Sequence, residues 1–236
     1  MVTQGFLFDL DGVVIDSELR RDEVLTTHLQ SYGISYDRDR IKPKMSGKSS
    51  IECMRIVVAE YNLPISPEDF GAQLNGRIQY LYEKEIGFVP GFEEFYAYLL
   101  TCFPVPVAVA SGCDLDYFTR IDQRLRLTDL FNGQIYRADM VKHGKPHPDI
   151  FQLAAKGIKV DSSECVAFED APLGVAAAIR AGAKVVILTR TFTELLLRKN
   201  ISEELQHELD EGVLFIPDYS DKSCEEVFRY IKQSFP

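Results

Sequence analysis

Residues 5–14 read Gly5-Phe6-Leu7-Phe8-Asp9-Leu10-Asp11-Gly12-Val13-Val14, and the way this stretch begins and ends decides the fold. Gly5–Asp9 is a short apolar run without polar alternation, the mark of a strand buried on both faces of a parallel sheet. Two carboxylates then arrive where open parallel sheets place their ligands, beyond the carboxyl ends of the strands. Residues two apart share a strand face, so Asp9 and Asp11 are expected to reach one ligand. Gly12 permits a sharp turn that brings backbone N–H groups toward an anion. Taken alone, the segment reads equally well as a polar strand end closed by an Asp-Gly turn.

Further along the chain, short β-rich runs alternate with helical patterns, which predicts an α/β fold with a Rossmann-like parallel sheet. Val105–Ser111, Cys165–Glu169 and Lys184–Leu188 are the buried strands, and Gln134–Arg137 and Val213–Ile216 are weaker runs suited to edges. Phe92, Phe95, Tyr96, Leu99 and Leu100 fall at helical spacing, as do Tyr117, Phe118, Ile121 and Leu125. Ala171–Ala181 reads as a helix stopped by Gly182, and the acidic run Glu203–Glu211 as the solvated face of another.

The interval from Asp9 to Val105 is roughly 95 residues, where an ordinary loop takes about 2–6. It has amphipathic stripes of its own (Leu25, Leu29, Tyr32; Ile51, Met54, Val58, Tyr61; Leu74, Ile78, Leu81), punctuated by Gly33, Pro43, Gly47, Pro64 and Pro67. An all-helical cap inserted after the first strand is therefore expected. Its divisions are 1–15 core, 16–89 cap and 90–236 core, with hinges near Val14–Asp16 and Phe88–Pro90.

The remaining strand ends add chemistry to Asp9 and Asp11. Val107–Ala110 runs into Ser111-Gly112, a hydroxyl and a free N–H suited to a phosphate oxygen, although a Ser before a helix is often only its N-cap. Lys145 lies in Gly144-Lys145-Pro146-His147-Pro148-Asp149, a loop stiffened by two prolines before a helix beginning near Pro148. Val166-Ala167-Phe168 ends in Glu169-Asp170, a carboxylate pair beside the core that needs a compensating cation. Clustered carboxylates with oxygen-only donors favour Mg²⁺. Tetrahedral zinc lacks its donors: His28, His143, His147 and His207 show no helical pairing, and His143 and His147 read as loop histidines straddling Gly144 and Pro146.

The 26 Lys+Arg against 36 Asp+Glu give a formal charge of −10, which repels phosphate backbones and anionic lipid and argues against nucleic-acid or membrane-surface partners. Met1-Val2-Thr3-Gln4 carries no basic segment, and no stretch approaches the roughly 18 apolar residues of a membrane span. Cys53, Cys102, Cys113, Cys165 and Cys224 are odd in number and without a Cys-x-x-Cys pair, so they read as free thiols in a reducing compartment. A cytoplasmic protein, monomeric or weakly dimeric, is the expectation.

Asp9-Leu10-Asp11-Gly12-Val13, Ser111, Lys145-Pro146 and Glu169-Asp170 resemble, in order and spacing, the four motifs of the haloacid dehalogenase-like hydrolases. The match is to the helical-cap branch, with its phosphatases and β-phosphoglucomutase-like enzymes, and Glu169–Gly174 through Gly182 is especially close. The resemblance implies that Asp9 attacks phosphorus to give an aspartyl-phosphate and that Asp11 serves as general acid and base. It implies Mg²⁺ on Asp9, Asp170 and the Asp11 backbone carbonyl, with Glu169 acting through the metal's water. Asp11, Gly12, Ser111, Gly112 and Lys145 would receive the phosphate, with Ser111 and Lys145 balancing its charge. Met45-Ser46-Gly47-Lys48-Ser49 and Arg20–Arg21 are candidate selectors in the cap, Lys48 and Arg21 foremost, though a plain cap turn and a solvated helix face read as well.

Departures from the family pattern favour a phosphatase, and the expected substrate is a small phosphorylated metabolite such as a sugar phosphate. Cys113, Asp114 and Leu115 follow the motif-two Ser where mutases hold a distal phosphate with polar and basic groups, and Arg21 replaces the mutases' cap histidine. A phosphosugar mutase and a non-catalytic phosphate-binding regulator are the rival readings.

Overall fold

The computed structural model describes residues 4–45 and 48–234. Ser46 and Gly47, expected in a cap loop, lie outside the described residues. Six strands form one sheet: β1 (Gly5–Phe8), β2 (Val107–Ser111), β3 (Ile135–Arg137), β4 (Cys165–Glu169), β5 (Lys184–Leu188) and β6 (Val213–Ile216), in the order β3-β2-β1-β4-β5-β6. Every neighbouring pair is parallel, and the two weak runs are indeed the edges. The β2 strand begins two residues later than expected, because Pro104 and Pro106 bring no N–H to the ladder; Pro106 still accepts from the Phe6 N–H at 3.0 Å.

The described residues form twelve α-helices: α1 (Ser17–Gln30), α2 (Arg38–Met45), α3 (Ser50–Tyr61), α4 (Pro67–Tyr80), α5 (Phe92–Cys102), α6 (Leu115–Leu125), α7 (Leu127–Leu130), α8 (Asp149–Gly157), α9 (Pro172–Arg180), α10 (Glu194–Asn200), α11 (Gln206–Glu211) and α12 (Asp221–Ser234). The period-two alternation of the strands sorts the core into two layers. Phe6, Phe8, Val109, Val166 and Phe168 face a cluster with Phe92, Phe95, Val227 and Ile231. Leu7, Ala108, Ala110, Ala167 and Val185 face a cluster with Phe151, Ala154, Val175 and Ala178. On the first face the Phe8 and Phe168 rings stack at 4.4 Å, fixing β1 against β4 immediately below the site. The α9 helix ends as its sequence predicts, with Gly182 at φ +83° and its N–H donating to Ile179 O at 2.8 Å.

Helices α1–α4, and a π-turn over Leu81–Glu85, fall between β1 and β2. The α3 helix opens on a capping box of Ser49 and Glu52, and α4 on Ser66 followed by Pro67. Two details differ from the sequence reading. Pro43 lies inside α2, close to its end, rather than between helices. In α3 the fully buried residue is Val57, with Ile51, Met54, Val58 and Tyr61 only half-buried around it. The two segments read as hinges pair with each other: Asp16 N–H donates to Gly87 O at 3.0 Å and Val89 N–H to Val14 O at 2.9 Å. No helix among the described residues is long and apolar enough to cross a membrane.

Candidate active site

The sheet order reverses between β1 and β4, and the reversal opens a crevice at their carboxyl ends. Register places Phe8 beside Phe168 and Asp9 N–H on Phe168 O at 2.9 Å. Asp9 thus emerges next to Glu169 and Asp170, and one carboxylate oxygen from each lies within 4.8 Å of the others. All three residues are buried, Asp9 at 7% exposure and the other two at 1%.

Lys145 crosses from the loop before α8 to meet them. Its Nζ donates to Asp9 Oδ1 at 2.5 Å and to Glu169 Oε1 at 2.6 Å, and it sits 4.9 Å from the centroid of the Phe151 ring. The second oxygen of Glu169 accepts the Asp170 N–H at 3.0 Å and the Ala171 N–H at 3.3 Å. Gly174 makes room for this carboxylate, since a Cβ there would stand 1.8 Å from Glu169 Oε1. Gly12 has a similar role: its φ is +81°, and a Cβ would fall 1.9 Å from Asp170 Oδ2.

Three buried carboxylates face one ammonium, and the surplus negative charge shows in their protonation. Burial, with Glu169 and Asp11 adding to it against the pull of Lys145, pushes Asp9 up to about 8. Burial and the neighbouring Glu169 and Asp9 likewise push Asp170 well above the carboxylate range. Lys145 is held above its ordinary value by Asp9 and Glu169 in spite of its burial. Asp170 Oδ2 has no hydrogen-bond partner, and neither has the nearby Thr191 hydroxyl. A hard divalent cation would suit this donor set, offsetting the surplus charge and taking the unpartnered Asp170 oxygen as a ligand.

Asp11 departs from the expectation that it shares a ligand face with Asp9. The strand ends at Phe8, so the two-residue alternation does not extend to Asp11. Its carboxylate turns instead toward α1 and α6. Ser17 Oγ, Tyr117 Oη (2.5 Å) and Arg21 (3.3 Å) all donate to Asp11 Oδ1. The Asp11 side chain is absent from the buried carboxylate cluster, which leaves its backbone carbonyl as its expected metal contact.

Ser111 is 1% exposed at the end of β2, and its hydroxyl accepts the Cys113 N–H at 3.1 Å. It is not the helix cap that the sequence also allowed. The α6 helix starts four residues later, with Asp114 as N-cap accepting Tyr117 N–H at 2.8 Å. Gly112 is exposed, and since α6 does not begin until Leu115 its N–H does not stand at a helix start. In the cap, Arg21 pairs with Glu18, and Glu18 with Lys42 at 2.5 Å. Burial works against the Glu18 charge, yet Arg21 and Lys42 hold its carboxyl down at about 2. Lys48 is exposed at the head of α3, its charge acting on Glu52, and no hydrogen bond among the described residues joins it to the buried carboxylates.

Sequence reasoning passed over Tyr117, Ser17 and Thr191. Tyr117 falls on an apolar helix stripe, and nothing local marks a hydroxyl whose partner is 106 residues away. Thr191 was within reach, because the strand-end rule that located Asp9 and Glu169 also applies just beyond β5.

The family model for haloacid dehalogenase-like hydrolases matches residues 3–182. The chain belongs to this family. The (DL)-glycerol-3-phosphatase 2 of Arabidopsis thaliana is 34% identical over 189 residues, covering 77% of this chain and 78% of its own. The bifunctional riboflavin kinase/FMN phosphatase of the same plant is 31% identical over 205 residues, covering 86% of this chain; the chain spans only 53% of that protein's length. Among solved structures, a HAD family hydrolase from Deinococcus radiodurans R1, with bound phosphate and sodium, superposes at TM-score 0.75 and 23% identity over 99% of this chain and 96% of its own. That likeness shows a shared α/β fold.

Proposed function

We propose that this hydrolase is a Mg²⁺-dependent phosphatase that cleaves a small phosphomonoester through an aspartyl-phosphate on Asp9. The observation that carries the reading is Asp9 Oδ1 fixed by the Lys145 ammonium at 2.5 Å beside two further buried carboxylates and the unpartnered Asp170 Oδ2. Asp9, Asp170 and the Asp11 carbonyl would hold Mg²⁺, and Glu169 would act on its water shell. When bound, the metal cancels repulsion between the carboxylates and the incoming phosphate.

The chain's own residues then perform the transfer. A free oxygen of Asp9 attacks phosphorus as the ester oxygen departs. Asp11 supplies the proton that the departing oxygen needs, and later takes one from the water that attacks the phosphoenzyme. Three donors converge on Asp11 Oδ1, which leaves Oδ2 to carry that proton. Ser111 and Lys145 balance charge on the transferred group, where fixed electrostatics act most strongly.

The pairing of the cap arginines supports a hydrolytic outcome. Arg21 is engaged by Glu18 and Asp11, Arg20 by Glu23 at 3.0 Å, and Asp114 caps a helix near Ser111. Neither arginine is left as the idle cation that a mutase needs for a distal phosphate, and Asp114 would repel one. The test is release of inorganic phosphate from p-nitrophenyl phosphate with and without Mg²⁺, followed by a panel of phosphorylated metabolites. Mg²⁺-dependent release is expected; saturable phosphate binding without turnover of any ester would favour the non-catalytic reading. Phosphorus NMR of glucose 1-phosphate with a trace of its bisphosphate separates the mutase, which would isomerise the sugar instead of releasing phosphate.

A further inference from the structure

We propose that His143, His147 and Asp149 form a second cation site, taking zinc or a metal of like preference, on the loop that carries Lys145. One ligand atom from each residue lies within 4.8 Å of the other two. His143 Nδ1 stands 3.1 Å from Asp149 Oδ2, and the His143 and His147 rings lie 4.9 Å apart between centroids, tilted by 34°. The sequence argued against this pairing because Gly144 and Pro146 forbid a helix, yet a turn achieves it instead. His147 N–H donates to Gly144 O at 3.0 Å, which folds the loop back so that both imidazoles reach the first residue of α8.

The geometry suits a metal better than an ion pair. A His–Asp pair uses His143 and Asp149 alone, whereas a metal would also use His147, which the turn brings within reach of both. Tetrahedral zinc with bonds of about 2.0–2.1 Å to N and O places neighbouring donors about 3.4 Å apart, close to the 3.1 Å between His143 and Asp149. Two imidazoles and a carboxylate are a zinc donor set, and the half-exposed His143 side chain (46%) leaves the fourth position to water. Ligand chemistry also separates the two sites. The buried cluster offers oxygen alone, which Mg²⁺ demands, whereas imidazole prefers zinc, copper or nickel. The ligands flank Lys145 on both sides, so an ion here ties down the loop that delivers the ammonium to Asp9.

The full chain, in excess Mg²⁺ and labelled with ¹⁵N-histidine, is titrated with zinc. One equivalent is expected to bind, shifting the ring-nitrogen resonances of His143 and His147 while those of His28 and His207 stay in place. His143→Gln and His147→Gln, both at exposed positions that leave the fold intact, should each weaken zinc by at least about tenfold. No zinc uptake in the presence of Mg²⁺, or unchanged affinity in both variants, would overturn the assignment.

Discussion

The buried strand ends and the cap differ in what fixes their side chains. Asp9, Ser111, Glu169 and Asp170 stand at or just beyond the ends of paired strands, so ladder register sets their positions and burial makes any mispairing costly. Arg21 and Lys48 ride on a helix face and a helix head, and their surroundings are other charges: Glu18, Asp11 and Lys42 around Arg21, and Glu52 near Lys48. Strand register thus holds the side chains at the buried strand ends, whereas those of the cap are held by charges that other partners could replace. Substitutions should rank accordingly.

The largest effect is expected at Asp9. Asp9→Asn keeps the shape but removes the nucleophile, and turnover should fall by about four to six orders of magnitude. Near-native activity in the purified variant would break the comparison at its strongest point. Next comes Asp11→Asn, which should slow turnover about 10²–10⁴-fold by removing both proton transfers. Because only its backbone oxygen is expected on the metal, half-saturating Mg²⁺ should hardly change. Loss of metal affinity at unaltered saturated turnover would reassign Asp11.

Metal removal gives a thermodynamic counterpart. Asp9 is raised from 3.8 to about 8 in the folded, metal-free chain, so between those values the native state binds the extra proton. Its contribution to stability is fully present below pH 4 and is lost as pH rises through 8. The metal-free melting temperature should therefore decline across that window. The increment produced by Mg²⁺ should grow over it, because the metal binds the ionised form. Melting curves with EDTA and with Mg²⁺ at pH 5, 6.5 and 8 check this; an increment that shrinks with pH would contradict it. The smallest effect is expected at Lys48→Ala, less than about threefold in kcat/KM, or about 0.7 kcal/mol. A loss above tenfold would show that the cap's exposed lysine reaches the substrate.

The same contrast explains what the sequence made legible. The central strands and both edges could be placed because short apolar runs between turn residues have few alternatives in an α/β chain. Asp9, Lys145, Glu169 and Asp170 followed because strand ends converge at a topological reversal. Asp11's orientation did not follow, since it depends on Ser17 and on Tyr117, 106 residues distant. The meeting of His143 with His147 depends on a turn rather than a helix, and Pro43, a strong local breaker, is accommodated in the last turn of α2.

The account rests most heavily on covalent transfer to Asp9, and borohydride trapping examines it directly. The enzyme is mixed with p-nitrophenyl phosphate and Mg²⁺, quenched within a turnover and reduced, so that an acyl phosphate at Asp9 becomes homoserine, which is read by peptide mass spectrometry. Homoserine at position 9 in the native chain, and at no other aspartate, is the predicted result. Rapid phosphate release with residue 9 unmodified throughout would mean that water attacks the ester directly, and the nucleophilic role of Asp9 would be wrong.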